Sequence, residues 1–234
     1  MRLRSAFKYD VLFQLRHGFY AAYAIVAAGY IIGINSLPEQ YRVSALIVAI
    51  FTDASILGFF FVGGLILLEK SQKIMEALFV TPFRYAEYYC SKVLSLTVLA
   101  SLVSVTMVLF IKGVPKHPLI FIAGVLLSST FFVLLGILAA TRASSVNGYF
   151  ITSIFYVTVL MVPLLGYFKI FDTGVYYILP SKASLLLFIG AFEGIETKDL
   201  VYSLLYLPFC SIPVAILGDK WFRRYVMEHV GDDK

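Results

Sequence analysis

The sequence predicts an all-α integral membrane protein with six transmembrane helices, and three observations carry that reading. Residues of the AVILMFWYC set make up 60% of the 234-residue chain and charged residues only 14%, against about half and about a quarter in a soluble domain. The mean hydropathy is +0.88. The apolar residues also fall in long, nearly uncharged blocks of about 18 residues or more, enough to cross about 30 Å of hydrocarbon. Such blocks have no place on a water-exposed surface.

Residues 2–17 put Leu3, Phe7, Val11, Leu12 and Leu15 near one helical face, with Arg2, Arg4, Lys8 and Arg16 around it. A helix of that pattern lies in the membrane interface and leads into the first span. Span one is expected at 19–36, span two within 43–68, span three at 93–111, span four at 119–140, span five at 148–168 and span six at 200–217. Between spans five and six, 169–199 holds an apolar block too short to cross, Ala183 to Phe192, preceded by Pro180. It reads as a re-entrant or interfacial hairpin. The whole chain, 1–234, forms a single transmembrane domain.

Of the 19 Lys and Arg, 13 fall on the side of the N-terminus if six spans alternate, and 6 on the other. Positive charge collects on the cytoplasmic side, so both termini are expected in the cytoplasm of a plasma-membrane protein. No cleavable signal peptide is expected. The net charge of +5 belongs to those basic flanks facing anionic lipid, and nucleic acid is not an expected partner. Neither the two cysteines nor the scattered His17, His117 and His229 have metal or triad spacing. No catalytic residue and no metal ligand is expected.

Asp53 is the single acid within an apolar block. It reads either as an intramembrane proton or cation site, or as a helix cap. The cap is favoured, because 43–68 is about 39 Å of helix, longer than the hydrocarbon requires. Span two would then begin at 54, with 43–52 at the outer surface. Gly29 with Gly33, and the pair Gly63-Gly64, are read as points of close helix packing. Most of the 16 Tyr and 21 Phe are read as interfacial belt and packing residues.

The most informative stretch is 69–92, EKSQKIMEALFVTPFRYAEYYCSK. Ile74, Ala77 and Leu78 share one helical face, with Glu69, Lys70, Lys73 and Glu76 on the polar side. Thr81-Pro82 ends that helix, since the residue before proline is driven out of helical geometry. Phe83 to Lys92 restarts helically into span three. From pattern alone, a docking segment and a merely interfacial helix are equally good readings.

Glu69 at the end of span two, the Glu76-Ala77-Leu78 step, Thr81-Pro82, and the Arg84, Glu87, Lys92 series that follows resemble the ABC-2 type transporter permeases. Within that superfamily Asp53 to Lys92 looks most like the fluoroquinolone-export permease group. Many relatives carry a Gly-Thr step where this chain has Lys73-Ile74, which shifts where the short helix starts.

The resemblance implies an ATP-driven exporter of two permease halves and two ATP-binding subunits. The partners are then an ABC ATPase subunit, a second permease copy or a paralogue, and membrane lipid. Residues 69–92 become the cytoplasmic coupling segment, with Glu69, Lys73, Glu76, Leu78, Thr81, Pro82, Arg84 and Glu87 as its coupling residues. The N-terminal amphipathic helix becomes a second contact, and the cargo a hydrophobic or amphipathic molecule, with drug-like compounds among the candidates. ATP and Mg would sit on the partner, because this chain has no G-x-x-x-x-G-K-[ST] loop. Two other readings stand beside this one: an ion-gradient-driven secondary transporter using Asp53, and a non-transporting immunity or sensory component.

Overall fold

In a computed structural model of the protein, the described residues are 2–72, 74, 85–143, 145–171 and 173–231. They are helical almost throughout, with no strand among them. Helix α1 (Arg2–Arg16) turns by 65° into α2 (Phe19–Asn35). The turn is made at Gly18, whose φ of 76° is a left-handed conformation that side chains other than glycine rarely adopt.

Helix α3 (Glu39–Thr52), a π-helical turn (Asp53–Leu57) and α4 (Gly58–Ser71) follow as one 33-residue helix. Then come α5 (Tyr85–Ile111) and α6 (Pro118–Arg142). Helix α7 (Val146–Met161) continues through α8 (Pro163–Tyr167). A 3-10 turn (Gly174–Ile178) leads to α9 (Pro180–Phe192) and finally α10 (Thr197–Gly231). Among the described residues, five helices are long and apolar enough to cross a membrane, and the number is six if the bent α1–α2 pair is counted as one span.

The bundle is organised around α6, which packs on α4, α5, α9 and α10. Helix α5 carries α1 and α2 on its other side. Helices α7 and α10 are peripheral, and Ile151, Ile154, Phe155, Leu205 and Phe209 are left exposed on them. The two prolines inside α10, Pro208 and Pro213, are carried without ending the helix. Such breaks are tolerated in transmembrane helices, where nearby hydroxyls and neighbouring helices serve the freed backbone groups.

One sequence expectation changes, and two other elements gain definite placement. Asp53 does not cap a helix: its backbone is helical (φ −60°, ψ −54°), and the helix runs unbroken from Glu39 to Ser71. A π-turn at Asp53–Leu57 lies within that continuous helix, and no break separates 43–52 from the rest of it. The apolar face of α1 is turned outward, with Leu12 and Leu15 about half exposed, while Asp10, Phe13 and Gln14 face the protein. The block from Ala183 to Phe192 is a half-length helix within the bundle, with Ala183, Leu185, Leu187, Phe188 and Ala191 wholly buried. It packs on α3, α6 and α10, and Ser184 shares a hydrogen bond with Ser128 of α6.

The glycines divide. A Cβ on Gly29, Gly33 or Gly64 would meet nothing within 4 Å, so these three mark no close contact among the described residues. A Cβ on Gly63 would run into the Tyr149 ring, whose hydroxyl donates to the Phe59 carbonyl at 2.6 Å. Gly136 of α6, not singled out in the sequence, lets the α4 backbone approach: its Cβ would stand 2.7 Å from the Phe59 oxygen and 3.1 Å from the Phe59 Cα.

Backbone cannot yield as a side chain end can. Gly136→Ala, which meets that backbone, and Gly63→Ala, which would push the Tyr149 ring off its hydrogen bond, are each expected to destabilise the protein by about 1–3 kcal/mol, the usual cost of overpacking. Gly64→Ala should lie within about 0.5 kcal/mol of the parent. Thermal unfolding of the three variants in detergent, followed by size-exclusion profile, checks the order.

Candidate functional site: a buried ion cluster at one end of the bundle

The helix ends that meet around Glu69 bury a lysine. Lys92 lies one-quarter of the way along α5 and is wholly inaccessible to solvent, as is Glu69, while Asp10 is nearly so. An ammonium taken out of water needs opposite charge and hydrogen bonds to be tolerated. Lys92 finds both. Its Nζ donates to Asp10 Oδ1 on α1 and, at 2.5 Å, to Glu69 Oε1 at the end of α4. It also stands 5.0 Å from the centre of the Tyr88 ring.

The helical period of α5 supplies the rest. Tyr88, Ser91, Lys92 and Ser95 recur at spacings of three and four, so they share one face. The Tyr88 hydroxyl donates to Glu69 Oε2 at 2.7 Å, and the Ser91 hydroxyl donates to Asp10 Oδ2. One turn further on, Gln14 of α1 donates through Nε2 to the Ser95 hydroxyl at 2.8 Å, and that hydroxyl donates to the Lys92 carbonyl at 3.1 Å. Asp10 and Gln14 are themselves four apart, which places both on the inward face of α1. Three helices are thus joined through one ammonium.

Beside the cluster, α1 and the residues following α4 enclose a cleft of about 350 Å³. Tyr9, Phe13, Arg16, His17, Gln72 and Ile74 are among the residues lining it. The Tyr9 phenol is held above its ordinary range, first by burial and then by the Glu69 charge. It therefore remains a neutral hydrogen-bonding group near neutral pH.

The cluster contains two carboxylates and one ammonium. It has the chemistry of a clamp: opposite charges and hydroxyl donors join three helices, and each carboxylate oxygen is taken by a donor. Glu69, expected among the docking residues, is wholly buried and paired with Lys92 and Tyr88. Glu87 lies near the start of α5, half-buried. Lys73, Glu76, Leu78, Thr81, Pro82 and Arg84 lie outside the described residues. Sequence reasoning missed Asp10, Tyr88 and Ser91. The available signal was that Asp10 is the sole acid in α1 and stands four residues before Gln14, which puts two polar groups on one flank of the helix.

A chain of this kind, helical almost throughout its described residues with five to six membrane-crossing segments, is a multi-pass membrane protein in class. It belongs to the fluoroquinolones export permease protein family, whose model matches residues 1–230. Two relatives are the fluoroquinolones export permease proteins of Mycobacterium tuberculosis strains CDC 1551 and H37Rv. Each is 26% identical over 233 residues, covering 98% of this chain and 98% of its own length.

The charge balance makes a specific prediction. Lys92→Met leaves two buried carboxylates facing each other and should cost about 3–5 kcal/mol, as removing one partner of a buried pair does. Asp10→Asn leaves a balanced Lys92–Glu69 pair and should cost clearly less. Melting temperatures of the purified variants in one detergent would check the order, and equal losses would show that the cluster is not held by charge.

Proposed function

We propose that the protein is the membrane-spanning subunit of an ATP-driven exporter, in which a separate ATP-binding subunit docks on the 69–92 segment. The observation that carries this reading is the family match over nearly the whole chain, joined to the placement of the clamp. Both ends of the segment rise from Glu69 and Lys92, which are paired. A push delivered to the segment would therefore reach α4 and α5 together, and α1 with them through Asp10. Such a junction suits a part that must pass motion from a soluble partner into transmembrane helices.

The cargo in this reading is a hydrophobic or amphipathic molecule moved out of the cytoplasm, as the relatives' names suggest for theirs. The working unit is two permease copies, or one copy and a paralogue, with two ATPase subunits holding ATP and Mg. Both termini then lie in the cytoplasm, and the bundle sits in the plasma membrane.

Replacing Glu76 and Leu78 together is expected to reduce recovery of the ATPase subunit at least tenfold in a mild-detergent affinity purification from the native membrane. Insertion and yield of the permease should be unchanged. Undiminished recovery would remove the 69–92 segment from the docking role.

A further inference from the structure

Asp53 stands apart from the clamp. It lies about halfway along the 33-residue helix, in the π-turn, and is wholly buried. Neither of its oxygens has a hydrogen-bond partner among the described residues. The Tyr23 hydroxyl of α2, also wholly buried, has none either. π-turns occur often at functional sites, since the inserted residue re-aims the side chains around it.

The elements around Asp53 bring no positive charge to it. The π-turn touches α3, α4, α5 and α6. Ionisable side chains on α3 are Glu39, Tyr41 and Arg42 at its start, and on α4 Glu69 and Lys70 at its end. Those of α5 lie within Tyr85 to Lys92, and α6 has Arg142 in its last turn. Helix α2 contributes Tyr23 and Tyr30, the two phenols that Asp53's charge reaches. A carboxylate so placed holds a proton or waits for a cation, because an ionised group without either is not tolerated at that depth.

A place for a larger cation lies one residue along the chain from it, with Asp53 itself closed off behind the cleft wall. Helices α2 and α3 border a cleft of about 530 Å³ lined by Tyr30, Ile34, Tyr41, Val48, Thr52 and Phe168, among others. Thr52 is the chain neighbour of Asp53, and Tyr30 both lines the cleft and lies within reach of the Asp53 charge. The volume is that of a small-molecule site, and a largely apolar wall with a few polar groups is the usual make-up of one. Aromatic rings in a cleft wall favour a cation with an apolar body through the ring faces, and a carboxylate behind that wall supplies opposite charge.

We propose that Asp53 and the α2–α3 cleft form a recognition site for the positively charged head of an amphipathic molecule, with a proton on the carboxyl when the site is empty. On binding, the carboxyl O–H bond breaks, the proton passes to bulk water, and the carboxylate pairs with the cation. One positive charge replaces another, so the buried site stays neutral. The proposal rests on the export reading only in treating such a molecule as cargo.

The test uses the purified full chain in nanodiscs and tetraphenylphosphonium, a permanent cation with no proton chemistry of its own. Titration calorimetry in two buffers of different ionisation enthalpy reads affinity and proton release together. The parent should bind it and release up to one proton, with affinity rising up to about tenfold per pH unit while the carboxyl is still protonated. Asp53→Asn mimics the protonated acid and should keep the fold while losing the proton release and at least tenfold in affinity. Asp53→Glu should restore both in part, and neutral triphenylphosphine oxide should not distinguish parent from variant. No binding to the parent, binding without proton release, or unchanged affinity in Asp53→Asn would each overturn the proposal. No ATPase is present, so failure here leaves the docking role of 69–92 standing, and failure of ATPase recovery leaves this site standing.

Discussion

A helix bundle in lipid cannot rely on the hydrophobic effect to bring its helices together, since lipid tails are as apolar as leucine. What discriminates one arrangement from another is close backbone approach and the few polar groups that must find partners. The bundle uses both. Gly136 admits the α4 backbone against α6, Ser128 and Ser184 tie α9 to α6, and Tyr149 reaches from α7 to a carbonyl of α4. At one end Lys92 forces a far stronger choice, because any arrangement that separates it from Asp10 and Glu69 strands a charge.

The number and order of the spans were legible because their signal is length and apolarity, which survive any detail of packing. Elements that depend on which way a face turns were less so. The leucines of α1 suggested its amphipathic character but not its inward face, which is set by Asp10 and Gln14 meeting polar partners on α5 some 81 positions away. The glycines of α2 looked like packing positions by spacing alone. The glycine that matters most in α6 has no spacing signature, because its partner is the backbone of another helix. Glu69 and Lys92 were visible as family marks, but the pair itself is a fact of the fold. Asp53 was noticed for its charge; the π-turn that carries it leaves no pattern a single sequence could reveal.

Two buried acidic sites of opposite character therefore share one chain. At the clamp, every carboxylate oxygen meets a donor from Lys92, Tyr88 or Ser91. In the π-turn, no donor among the described residues reaches Asp53. The first arrangement confers geometry and is spent in holding helices together. The second keeps its binding capacity in reserve, at the expense of stability, which is a common trade at sites that must accept something from outside.

Pairing Glu69 with Lys92 has a consequence in polymer terms. The two residues are 23 positions apart in sequence, and their contact turns the intervening stretch into a closed ring. Closing a ring of that length removes roughly 3 kcal/mol of chain entropy, by the logarithmic scaling of loop closure. The fold has already borne that loss before any partner arrives. A protein that grips the ring need not gather its ends, and the ring cannot lengthen under load by letting its two feet slide apart.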